Sequence, residues 1–221
     1  MRHRSYATAI ALLMGVSGCG SSRNKETISG NSSALAALVG PTTCQDEGLP
    51  LGSQSLSILS IVIVANGALT DACSLLTDLC TNYSNTRYVL LFIENFDQTG
   101  ATVSPVEPGT YQLVQKFNNV LTGAIAFAAV AETDASCNVV ENTSGDGSTG
   151  TITIVTIAAT SMTGSFDVTV DGVEYQGDLN ATICPQSDFT VTWNGCNGTI
   201  TSASQTCSGS TQCLALPPAA G

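Results

Sequence analysis

Along most of this chain apolar residues come in short runs, alternating with polar residues or nearly unbroken, and turn-forming residues separate the runs. Residues 54–65 are rich in Leu, Ile and Val, and their apolar positions change register near Ile58 and Leu59, which predicts a strand with a bulge. Residues 87–96 form a second apolar run, residues 109–116 alternate, and residues 122–132 are Ala-rich but bounded like a strand. Residues 150–158 set Ile152 and Ile154 among threonines, and residues 188–193 alternate like a final strand that carries Trp193. Turn signals at residues 97–100 and 142–147 separate these runs. Only residues 70–79 suggest a helix, with Asp71 near a possible cap and Leu75, Leu76 and Leu79 on one face. Short strands at this spacing predict an all-β chain, a single antiparallel β-sandwich or barrel-like domain.

The sharpest local expectation is a hairpin turning at Asp171-Gly172. With that loop, Val170 faces Val173, Val168 faces Tyr175, Phe166 faces Gly177 and Gly164 faces Leu179. This face is apolar, and each glycine stands opposite a large side chain that can cover it. The opposite face pairs Thr169 with Glu174, Asp167 with Gln176 and Ser165 with Asp178. A slip of one residue would mix the two faces, so the pattern specifies its own register.

The N-terminus reads differently. Arg2, His3 and Arg4 precede an apolar core at residues 7–16, and Val16-Ser17-Gly18-Cys19 follows. That core is roughly half the length a helix needs to cross a bilayer, so an export signal fits better than a membrane span. The tetrapeptide resembles the lipobox of bacterial lipoproteins, which implies that the Cys19 thiol takes diacylglycerol and becomes the first residue of the mature chain. Residues 20–40 are rich in Ser, Asn, Gly and Ala without alternation, which predicts a flexible tether in which residues 33–39 could form a helical turn or two. The expected division is a signal peptide at 1–18, the lipidated Cys19 and tether at 19–43, and one β-rich domain with a Cys-rich tail at 44–221. Residues 149–184, two glycine-containing strands running into Cys184, also resemble a stretch of uncharacterised myxobacterial-type envelope lipoproteins. That resemblance implies a shared fold element and no catalytic residues.

Nine cysteines are an odd number for an exported chain. Assigning Cys19 to lipid leaves Cys44, Cys73, Cys80, Cys137, Cys184, Cys196, Cys207 and Cys213, which can pair completely. An oxidising compartment favours disulfides, and the chain has no Cys-x-x-Cys motif to suggest redox or zinc work. The pairing stays open at this point. Cys73 with Cys80 would clamp one short segment, Cys196, Cys207 and Cys213 could staple the tail, and Cys137 and Cys184 sit near strand ends where they could join neighbours.

Charge and composition then narrow the chemistry. Arg2 and Arg4 fall in the signal, so Arg23, Lys25, Arg87 and Lys116 stand against seventeen acidic residues, a net charge of −13 for the mature chain. Such a surface repels phosphate backbones and excludes nucleic acid as a natural partner. Membrane attachment would therefore come from acyl chains on Cys19 rather than from a basic patch. The only histidine, His3, lies in the signal, which excludes Ser-His-Asp and Cys-His catalysis in the mature chain.

The carboxylates Asp167, Glu174 and Asp178 would share one hairpin face with Asp171 at its end, as a cation or acid/base site or simply as a solvated sheet face. Glu132-Thr133-Asp134 comes nearest to a calcium loop, but Ser136 and Cys137 follow where an acid and a glycine belong. Asn-x-Ser/Thr triplets at Asn31, Asn82, Asn142, Asn180 and Asn197 fit an Asn- and Thr-rich surface. The expectation is a cell-envelope lipoprotein, lipid-anchored in the outer membrane. It would be a non-catalytic binding or structural module with no cofactor, no metal site and a protein or glycan partner of unknown identity. The alternatives are a carboxylate-dependent hydrolase of envelope glycans and a calcium-stabilised adhesion domain.

Overall fold

The computed structural model describes residues 26–27, 33–45, 53–65, 67, 69, 73, 75, 81–97, 103–113, 122–143, 148–194, 197–202 and 212–215. These residues are almost wholly strands: β1 (Glu26–Thr27), β2 (Ser33–Gln45), β3 (Ser53–Val64), β4 (Thr81–Ser84), β5 (Arg87–Asp97), β6 (Gly109–Gln112) and β7 (Thr122–Thr133). There follow β8 (Val139–Thr143), β9 (Thr149–Ile157), β10 (Ser161–Val170), β11 (Val173–Ile183), a short 3-10 turn (Gln186–Asp188), β12 (Phe189–Asn194), β13 (Asn197–Ser202) and β14 (Gln212–Ala215). The predicted strands at 54–65, 87–96, 122–132 and 150–158 are all present. The helix expected at 70–79 lies outside the described residues apart from Cys73 and Leu75, both buried.

One sheet dominates, in the order β6-β9-β10-β11-β2-β3-β5-β7-β8, with β1 beside β11. Most pairings are antiparallel; β2 and β1 run parallel to β11. The sheet curls far enough for Leu113, next after β6, to bridge to Ala126 of β7. The curl gives the inward residues a common interior. Ala34, Ile61, Leu91, Ala128, Ile152, Phe166, Val168 and Leu179 belong to one continuous core drawn from seven strands. Side chains fill this barrel-like interior, as expected for a small barrel.

Two sequence expectations change here. Residues 33–43, assigned to the tether with helical turns at 33–39, instead belong to β2 (Ser33–Gln45) at the centre of the sheet, between β11 and β3. Its alanines explain this. Ala34 and Ala36 face Ile63 and Ile61 across the ladder and are buried, so small side chains complement large ones. The predicted register change near Ile58 also moves. β3 pairs with β5 without a break from Ser55 to Val64, whereas β2 places Gly40 and Pro41 opposite the single Ser57. The bulge therefore belongs to β2, where a proline that cannot donate to a ladder is tolerated.

The unbroken apolar character of β3 has another cause. Leu59, Ile61 and Ile63 face the core, yet Leu56, Ile58 and Val62 on the opposite side are buried as well. In β5 the outer side carries Tyr88, Phe92 and Phe96, also buried, and Phe92 stacks on Phe127 of β7 with ring centroids 4.7 Å apart. Strands covered on both faces lose the alternation of a half-exposed sheet.

Candidate functional site

The hairpin comes first, since it carries the singled-out carboxylates. β10 and β11 pair in the register read from the sequence: Val170 with Val173, Val168 with Tyr175, Phe166 with Gly177 and Gly164 with Leu179. The turn is made by Asp171 and Gly172, both with positive φ (51° and 77°), the left-handed geometry a tight two-residue hairpin turn requires. Phe166, Val168, Tyr175 and Leu179 are buried, so the apolar face is the core face.

Gly164 has a second role that its sequence position does not show. A methyl group there would lie 2.1 Å from the Thr153 carbonyl oxygen of β9, where the β9–β10 register shifts. Val155, left over by that shift, is exposed.

The other side of β6, β9, β10 and β11 is a continuous polar surface. One rung runs Thr110, Thr153, Ser165, Asp178, and the next runs Gln112, Thr151, Asp167, Gln176. Hydroxyls meet along the rungs: Thr110 Oγ1 lies 3.2 Å from Thr153 Oγ1, and Thr156 Oγ1 lies 2.7 Å from Thr163 Oγ1. The hydroxyl array was missed at the sequence level, although the period-two threonines at 149, 151 and 153 were the available signal. Asp167 and Asp178 are exposed and Glu174 is half-buried. Asp167 stands diagonal to both of the others, about 7–8 Å away by sheet geometry, a spacing that suits separate solvation better than a shared proton. The arrangement spreads the carboxylates over an outward sheet face.

The second acidic candidate is absorbed by local structure. Asp134 Oδ1 accepts the backbone N–H groups of Ser136 (2.8 Å) and Asn138 (2.9 Å), and the Asn138 side chain donates to Oδ2 at 3.2 Å. The Asn138 hydrogen bonds lead in holding this carboxyl below the ordinary carboxylate range. Glu132 pairs with Arg87 directly across the β5–β7 ladder, Nη2 to Oε2 at 3.1 Å. Asp134 organises the β7–β8 turn, in which Cys137 has φ 61°. Among the described residues no three His, Cys, Asp or Glu side chains converge as metal ligands would.

Among the described residues two disulfides are formed, Cys73–Cys184 and Cys137–Cys213, with Cα–Cα separations of 5.5 and 5.6 Å. Both correct the local pairings considered above. Cys73 joins the end of β11 rather than Cys80, and Cys213 crosses to the β7–β8 turn rather than to Cys196 or Cys207. Cys137 and Cys184 do sit next to strand ends. Cys19, Cys80, Cys196 and Cys207 lie outside the described residues, and Cys44 is placed only by its backbone, in β2 opposite Gln54 of β3. β12, expected as the final strand, forms a separate two-stranded sheet with β13, while β14 runs parallel to β4.

No family model, curated protein or solved structure matches the chain. Its chemistry has to be read from these residues alone.

Proposed function

We propose that the protein is a cell-envelope lipoprotein, anchored in the outer membrane by acyl chains on Cys19, whose β-domain is a non-catalytic binding or structural module. The observation that carries the module reading is the division between a filled interior and a polar exterior. Fully buried Ile152, Ile154 and Met162 occupy the space in which a larger barrel would hold a ligand. Polar groups instead lie on the outer face, as hydroxyl and carboxamide rungs with dispersed carboxylates. A partner would meet this surface from outside and be recognised through hydrogen bonds. The surface charge of the mature chain favours a neutral or cationic partner over a polyanion.

Anchoring is tested by intact mass of the membrane-extracted protein before and after reduction with thiol alkylation. The expected species begins at Cys19, carries an acylated glyceride and reveals eight thiols only on reduction. An unlipidated chain overturns the anchor. Hydrolysis of envelope glycans that disappears in Asp167→Asn or Asp178→Asn would overturn the non-catalytic reading in favour of a carboxylate enzyme. A fall in melting temperature on chelation would favour the calcium-stabilised adhesion domain.

A further inference from the structure

β4 is a short strand whose described strand partner is β14. The rest of the domain shapes β4 independently of that partner. Thr133 Oγ1 donates to the Tyr83 carbonyl at 2.6 Å and accepts the Thr86 N–H at 3.0 Å. The Asn85 N–H reaches the Asp134 carbonyl at 3.0 Å, and Thr86 Oγ1 donates to the Ser84 carbonyl at 3.0 Å. The receiving edge is therefore built by β7 and the β7–β8 turn.

The occupant is held far less by packing. All four residues of β14 are exposed, including Leu214 at 44%. Its ties are the parallel ladder, Gln212 with Thr81 through Ala215 with Ser84, the Ser84 Oγ donation to the Leu214 carbonyl at 3.3 Å, and the Cys137–Cys213 disulfide. Little apolar area leaves water when the strand docks, so the covalent bond is what retains it.

We infer that the β4 edge is a strand-docking site, and that its occupant can be the β14 segment of a second copy of this chain as well as the chain's own. The two arrangements share every ladder contact and the same disulfide, differing only in which molecule supplies the strand. Residues 203–211 separate β13 from β14, and at about 3.3–3.6 Å per residue they limit how far a donated strand reaches. Donation would thus link copies side by side through their Cys137 turns.

The exchange needs only a low-molecular-weight thiol as catalyst. Its thiolate attacks Sγ of the exposed Cys213, forms a mixed disulfide there and releases Cys137 as thiolate. The released Cys137 thiolate then attacks Cys213 Sγ of a second copy, forming one intermolecular Cys137–Cys213 bond and releasing the second copy's Cys137 as thiolate. That thiolate attacks the mixed disulfide on Cys213 of the first copy, closing a reciprocal dimer and expelling the catalyst thiol, or attacks a third copy and lengthens the chain. In the reciprocal dimer two disulfides break, two form, and the thiol is regenerated without net oxidation.

The test uses full-length protein in two isotopic masses, mixed with a catalytic amount of glutathione and quenched by alkylation. Non-reducing electrophoresis with peptide mass mapping should show mixed-mass dimers and longer chains joined by Cys137 of one copy and Cys213 of another. These products should be absent in Cys213→Ser. In parallel, glutathione-capped peptide Thr211-Gln212-Cys213-Leu214-Ala215-Leu216 should be captured by Cys137 at least about tenfold faster than a peptide scrambled around the same cysteine, equivalent to 1.4 kcal/mol of strand recognition. Exchange that yields monomers only, or equal capture of the two peptides, overturns the inference. A thiol that opens this disulfide only when the whole domain unfolds overturns it as well.

Discussion

Phe166 stands directly opposite Gly177 in the β10–β11 ladder, and its ring is 3% exposed although the residues on either side of it point to solvent. The ring stands opposite a position that has no side chain of its own and belongs to the core shared by seven strands. A large residue over a strand glycine covers backbone that would otherwise lack a packing partner.

Replacing Phe166 by Ala should cost about 3–5 kcal/mol, because a buried aromatic is lost and the glycine beneath is uncovered. For a domain of this size that corresponds to a fall in melting temperature on the order of 10 °C. Thermal unfolding followed by circular dichroism measures it. A shift of only a degree or two would show that the ring is not buried as described.

Two glycines of the hairpin separate steric contact from backbone conformation. At Gly164 an added methyl meets the Thr153 carbonyl at 2.1 Å, so Gly164→Ala must part β9 from β10. At Gly172 nothing lies within 4 Å, and the cost of Gly172→Ala comes only from its φ of 77°. That cost is about 1–2 kcal/mol, so Gly164→Ala should be the more damaging. Equilibrium urea unfolding of the two variants ranks them, and the reverse order would place the register shift of β9 elsewhere.

The disulfides Cys73–Cys184 and Cys137–Cys213 should differ in reactivity more than in their contribution to stability. They span 111 and 76 residues, for which loop-closure entropy gives similar contributions of about 4–5 kcal/mol each. Cys184 is 2% exposed, whereas Cys213 lies on an exposed strand. Under limiting reductant Cys137 and Cys213 should be alkylated before Cys73 and Cys184, as read by timed quenching and peptide mass mapping. Simultaneous labelling of all four would contradict the difference in access.

Alkaline stability should fall in a defined window. Burial raises the Tyr88 phenol from its ordinary 10.0 to about 12, since the buried anion would lose its hydration. Between those values the unfolded chain has released this proton and the folded one retains it, so the unfolded state is favoured progressively as pH rises. The loss is on the order of 2–3 kcal/mol by the upper end. Denaturant unfolding across the window should show it, and Tyr88→Phe should flatten the slope. An unchanged slope in that variant would assign the effect to another group.

Acid should act at the β7–β8 turn. Hydrogen bonds from Asn138 and Ser136 depress the Asp134 carboxyl below 3.8, so the turn's stabilisation is present above that value and lost as pH falls through the lower folded value. Asp134→Asn should make backbone protection at Ser136 and Asn138 nearly independent of pH in this range, measured by amide hydrogen exchange. Protection in the variant that still declines with acid would show another group in control.

What the sequence determined by itself is local. The Asp171-Gly172 turn, the register of β10 with β11 and the sorting of Phe166 inward from Asp167 outward follow from a two-residue loop and a period of two, both contained in one short segment. The strands β3, β5, β7 and β9 were legible as short apolar or β-branched runs bounded by turn signals. Only the tertiary structure decided what depends on distant neighbours. β2 has the composition of a tether, and its alanines become core residues only because Ile61 and Ile63 stand opposite. The apolar run of β3 looks like a register change until both of its faces are buried. Cys73 finds Cys184 and Cys213 finds Cys137 because the folded sheet brings strand ends together across long stretches of chain, a proximity that spacing in sequence does not encode. The hydroxyl rungs likewise exist only when four strands align, since each strand contributes one residue to each rung.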